Sequence, residues 1–157
     1  MTLTSWLWVA TGCYALHILE EYQLNWRDWA REVIGLPVEW GDFYVANAAV
    51  IVLGIVAPNL AVAWPSLALA FPALMLINAT FFHVLPVILT KGRYSPGVFT
   101  AVILFYPVGI ACFARAATQG LIGVGAMIVS FVLGALIMAF PIVLLKVRSL
   151  PYFRQDR

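Results

Sequence analysis

Charge is what this sequence has least of. Of its 157 residues, 10% are Asp, Glu, Lys or Arg, against 64% hydrophobic, and the mean hydropathy is +0.97. A soluble domain carries about 25% charged residues. That shortage excludes an ordinary water-facing surface and points to a polytopic membrane protein. The net charge is only +2. With no basic stripe and no nucleic-acid motif, nucleic-acid binding is excluded as well. Cysteine is scarce too: Cys13 and Cys112 form no CxxC and no disulfide framework. Both lie in apolar segments and read as packing residues. The first apolar run has no basic stretch before it, so it reads as a spanning helix and not as a cleaved leader.

What is present is length in apolar runs. A bilayer core of about 30 Å needs roughly 20 apolar residues per helix. Five segments supply them, at about 3–22, 43–63, 66–90, 97–117 and 120–146. The expected fold is a single all-α membrane bundle spanning 1–157, with no room for a second soluble domain of ordinary size. Between the first two runs, Trp26, Trp29 and Val33 recur at helical spacing among Arg27, Asp28, Arg31 and Glu32. This predicts a short amphipathic helix in the headgroup layer, about 25–36, ended by Pro37. The glycines at 120, 123, 125 and 134 are expected to permit close helix packing. Five spans place Arg27, Arg31, Lys91, Arg93, Lys146, Arg148, Arg154 and Arg157 on one side and Arg115 on the other. The positive-inside rule then puts the C-terminus in the cytoplasm and the N-terminus outside, in a plasma (inner) membrane.

The stretch HILEEY, residues 17–22, breaks the apolar pattern. Glu20 and Glu21 follow His17 by three and four residues, which puts all three on one helix face. The other histidine, His83, lies about eight residues before the loop KGRYSP. At ~1.5 Å per residue that is ~12 Å below the same membrane surface, close to the depth of His17. Asn47 and Asn78 fall in the same half of the bundle. On a regular helix Asn78 points ~140° away from His83, so Thr80 is the better-placed neighbour, unless Pro86 distorts the helix here. Ionisable groups in the hydrocarbon normally face the bundle interior and mark function. The bland alternative is that the two glutamates snorkel, or pair with Arg27 or Arg93.

HILEE, together with Asn78, His83, Arg93, Tyr94, Pro96 and Gly97 in NATFFHVLPVILTKGRYSPG, resembles the HXXEE family of small multi-span membrane proteins. The resemblance covers roughly residues 5–115. It implies a membrane bundle and supplies no reaction.

Two chemistries suit these residues. His17, His83 and one of Glu20 or Glu21 have the donor count for one divalent metal, Zn or Fe, with the other glutamate free as a general base. Without a metal, the glutamate pair and the histidines suit proton transfer on an apolar molecule, such as isomerisation or cyclisation of a sterol- or isoprenoid-like lipid. Arg93 and Lys91 stand at headgroup level and suit an anionic headgroup, or else serve as positive-inside charges. Tyr94 is a candidate hydrogen-bond donor. The expected catalytic set is therefore His17, Glu20, Glu21 and His83, and the same four are the candidate metal ligands. Asn47, Asn78, Thr80, Arg93 and Tyr94 are the candidate substrate contacts, with a membrane lipid or apolar small molecule as partner. A proton- or cation-coupled transporter is the other class. It needs polar residues through both leaflets, and the outer half is nearly all Ala, Val, Leu, Ile and Phe. An accessory subunit whose polar residues merely satisfy one another is the third.

Overall fold

A computed structural model describes residues 1–150 and 152, with side chains at 148 and 149 excepted. These residues form helices and no strands. Arg154 and Arg157, and the side chain of Arg148, counted above toward the basic side, lie outside the described residues. The helices are α1 (Leu3–Gln23), α2 (Trp26–Val33), α3 (Trp40–Leu60), α4 (Pro65–Leu89), α5 (Val98–Thr118) and α6 (Val124–Ser149). Four of them, α3 to α6, are long and apolar enough to cross a membrane. They leave residues such as Val52, Ile55, Ile128, Val132 and Leu136 exposed, as a lipid-facing surface requires. Helix α1 has 21 residues, but its polar side chains keep it out of that class.

Local chemistry sets the boundaries. Thr2 caps α1, its hydroxyl accepting from the Ser5 N–H. Helix α2 stops at Val33, earlier than Pro37 would require, because Gly35 turns the chain at φ +69. Glu39 and Asp42 form a capping box that starts α3 at Trp40, three residues before the apolar run. Helix α6 starts at Val124 and not at 120, because Gly120 sits in the preceding turn at φ +68. Of the four glycines expected to allow close packing, only Gly134 does so. A Cβ there would lie 2.8 Å from the Leu74 backbone nitrogen on α4, while at 120, 123 and 125 it would meet open space.

Helix α1 runs through the core. Leu3, Leu7, Ala10, Tyr14, His17 and Glu21 are all buried, at spacings of four, three, four, three and four. One inward stripe thus begins in leucine and ends in the ionisable pair. Arg93, in the loop after α4, pairs with Glu32 of α2 at 2.7 Å, so the α1–α3 connection and the α4–α5 loop share one end of the bundle.

Two helices are wound loosely at that end. Helix α4 becomes a π-helix over Ala79–Val84, and α5 does so over Ala101–Phe105. Each stretch ends two residues before a proline, Pro86 and Pro107. A proline ring collides with the carbonyl four residues back, here Phe82 and Ile103. Both carbonyls lie inside the widened turns, which relieve the collision. The π turn also overturns one expectation. Its bonds join residues five apart, so Asn78 and His83 stand closer in direction than on a regular helix, and both are buried.

Candidate functional site

The site is assembled by α1, α4 and the first turn of α5 with the loop before it. His17 and His83 meet edge to face, their ring centroids 4.8 Å apart. Glu21 Oε1 lies 3.5 Å from His17 Nε2 and 3.4 Å from His83 Nε2. All three side chains are buried. Neither glutamate pairs with Arg27 or Arg93, whose carboxylate partners are Asp28, Glu39 and Glu32.

The far side of each ring is held by a hydroxyl. His17 Nδ1 lies 2.8 Å from Thr100 Oγ1, and His83 Nδ1 lies 3.1 Å from Ser95 Oγ. The Thr100 hydroxyl also lies 2.6 Å from Glu20 Oε2. It has a single proton, and proton counting assigns it. Glu20 already accepts from the Tyr94 hydroxyl at 2.6 Å and from the N–H groups of Gly97, Phe99 and Thr100 at 3.1, 3.2 and 2.8 Å. A group ringed by donors is an ionised carboxylate. It takes the Thr100 proton in preference to the Gly97 carbonyl 3.2 Å away. His17 must then donate from Nδ1 to Thr100, so in the neutral ring the Nε2 lone pair faces Glu21.

The consequence is that three polar atoms converge. Both Nε2 atoms are buried and without a hydrogen-bond partner. They and a carboxylate oxygen point at one small volume. Lone pairs and negative charge brought together away from water repel unless a proton or a cation lies among them. The spacing fits a metal. Around a tetrahedral ion with bonds of about 2.0–2.1 Å, ligand atoms lie about 3.4 Å apart. The ligand atoms of His17, Glu21 and His83 lie within 4.8 Å of one another, two of the three spacings being 3.5 and 3.4 Å. Gly97 closes one wall at φ +97. A Cβ there would come within 2.6 Å of His83 Cε1 and 2.8 Å of His17 Cε1.

The two glutamates therefore do different work. Glu21 joins the histidines. Glu20 turns aside, and its carboxylate caps the free N–H groups at the start of α5, where the helix dipole also favours negative charge. Tyr94 donates to Glu20, and burial followed by that bond pushes its phenol up to about 12. Thr80 is directed elsewhere, bonding the Leu76 carbonyl and the Tyr106 hydroxyl. Arg93 is engaged by Glu32 in a two-pronged ion pair. Thr100 and Ser95 were missed by sequence reasoning. Ser95 lies inside the YSPG stretch, but a lone threonine three residues past Gly97 carries no signal of its own.

Beside this cluster runs a cleft of about 80 Å³, lined by Tyr14, Glu21, Trp26, Asp42, Asn47 and Asn78 together with apolar side chains of α3, α4, α6 and the segment before α3. Tyr14 donates to Asn47 Oδ1 at 2.9 Å. The Asn78 side-chain oxygen is buried without a partner. Glu21 is the single member of the cluster that reaches the cleft.

Fold and site together define a class: an all-helical protein of membrane-spanning composition with a buried His–His–Glu cluster at one end of its bundle. The chain belongs to the family described as proteins of unknown function with HXXEE motif, which it matches over residues 8–112. His17, Glu20 and Glu21 are the residues of that motif. No curated protein and no solved structure matches the chain.

Proposed function

We propose that this is a five-span membrane enzyme in which His17, His83 and Glu21 hold one divalent cation, Zn or Fe, for chemistry on a lipid-like molecule. One observation carries the reading: two imidazole nitrogens without a hydrogen-bond partner and a carboxylate oxygen converge in a buried site. Such an ion, when bound, supplies Lewis acidity or an activated water. The chain's own residues do the rest. Thr100 and Ser95 orient the rings, and Glu20 orients Thr100, as outer hydrogen bonds do around metal ligands. Tyr14, Asn47 and Asn78 line the approach.

Helix α1, about 31 Å long at about 1.5 Å per residue, is the fifth span. The N-terminus lies outside and the C-terminus in the cytoplasm. The Arg93–Glu32 pair supports this topology, because it keeps Arg27, Arg31, Lys91 and Arg93 at one end. A metal-free second reading rests on Glu21. Because Glu21 reaches both the histidines and the cleft, it can pass a proton between the pair and a bound molecule, as an isomerase or cyclase requires.

Elemental mass spectrometry decides between the two. Wild type, His17→Ala and His83→Ala are purified from metal-supplemented cells without chelator, and folding is checked by thermal unfolding. Near-stoichiometric metal in wild type, lost in both folded variants, is expected. Folded wild type that stays metal-free after incubation with Zn and Fe under reducing conditions overturns the metal centre and leaves proton transfer by Glu21.

A further inference from the structure

The cleft beside Glu21 has a chemistry of its own, and it narrows the molecule that enters. None of its described lining residues is Lys or Arg, while the buried Glu21 stands in its wall. Arg93, the cation nearest in sequence to the site's loop, is held by Glu32. A phosphate or carboxylate headgroup would meet the Glu21 carboxylate here. Asn78 is buried and lines the cleft, and its enclosed side-chain oxygen has no hydrogen-bond partner. An amide offers both donor and acceptor. A ligand that donates to Glu21 and either donates to or accepts from Asn78 satisfies the wall, and a neutral hydroxyl does both.

The other end of the cleft is apolar. Ala46, Val50, Ile137 and Pro141 line it and also line a second groove between α3 and α6. Every residue of that groove is hydrophobic or proline, and both helices are of membrane-crossing composition. The polar pocket thus opens sideways along a greasy channel toward the lipid phase. We infer that the cleft binds a neutral single-chain lipid alcohol, its hydroxyl between Glu21 and Asn78 and its chain in the α3–α6 groove. This rests on the proposed function only in taking the ligand as the substrate. Binding itself needs no metal.

The test uses the full chain in phosphatidylcholine nanodiscs with radiolabelled oleyl alcohol. Competitors are unlabelled oleyl alcohol, its methyl ether and oleyl phosphate. Saturable binding is expected, with the ether and the phosphate each competing at least about tenfold more weakly, the ether for lack of a donor to a charged group. Asn78→Ala is expected to weaken alcohol binding and shrink the alcohol-to-ether gap. Ala46→Trp, which fills the shared channel, is expected to abolish binding of both, and serves if Asn78→Ala does not fold. His83→Ala removes the proposed metal centre but does not line the cleft, so it should still bind the alcohol. Folded wild type that takes up no Zn or Fe on incubation and still binds the alcohol refutes the metal centre alone. Equal competition by phosphate or by ether, or no saturable binding in folded wild type, overturns the inference about the cleft.

Discussion

Replacing Gly97 with alanine tests the packing of the buried cluster directly, because the chain supplies its own control. Gly92 and Gly97 have nearly the same backbone, at φ +99 and +97. An alanine at either position bears the strain of a left-handed conformation, about 1–3 kcal/mol. Their surroundings differ. At 92 the added Cβ meets nothing within 4 Å, whereas at 97 it lies 2.6 and 2.8 Å from the two imidazole Cε1 atoms and 3.0 Å from Glu21 Cγ. The rings cannot swing away freely, since Thr100 and Ser95 hold their Nδ1 atoms. Overpacking of this kind adds about 1–3 kcal/mol. Gly97→Ala should therefore unfold about 1–3 kcal/mol more easily than Gly92→Ala in the same detergent. It should also lose the metal that Gly92→Ala retains. Thermal unfolding with and without chelator, read beside metal content, measures both. Equal destabilisation of the two variants, with metal unchanged, would refute the close contact of Gly97 with the histidines.

Three further outcomes follow from the same geometry. Thr100→Val, which keeps the shape but removes the hydroxyl, should weaken metal binding by about 10–100-fold, while Thr100→Ser restores it; nitrogen-15 NMR of the histidines should show the His17 Nδ1–H tautomer in wild type and its loss in the valine variant. Tyr94 should titrate near 12, so Tyr94→Phe should delete a step near that pH from the absorbance of ionised tyrosine. A raised phenol pKa stabilises the fold below the ordinary value of about 10 and ceases to do so as pH rises through the folded value, so Tyr94 should give no pH dependence of stability between pH 5 and 9. Arg93→Ala should leave metal content and alcohol binding unchanged and produce no resolvable change in unfolding temperature at moderate salt, because the pair with Glu32 is exposed and screened.

Much of the site was legible in the sequence. Helical spacing put Glu21 on the face of His17, and counting residues back from a shared membrane surface brought His83 to the same depth. The two rings do touch. The division of labour within the glutamate pair was not legible. Glu20 is directed by the N–H groups that α5 leaves free, and those belong to a segment 77 to 80 residues away. Asn78 was set apart from His83 on the footing of a regular helix unless Pro86 distorted it, and the stretch before Pro86 does wind as π. Pro86 and Pro107 were the visible clues, since both widened turns lie just before them. Helix α6 was started too early because its leading glycines form a turn and not a packing face.

The loosely wound turns have a consequence for how this protein tolerates change. Each is an extra residue absorbed into a helix without a break in the rod. Deleting one residue between Asn78 and His83 would let α4 close into regular α-helix. The two would then stand four apart, about 40° from alignment, a spacing that keeps them on one helix face. The site therefore tolerates the loss of one residue here, provided the turn tightens to match. A scan by substitution alone would miss that tolerance. Single-residue deletions between these two positions would reveal it.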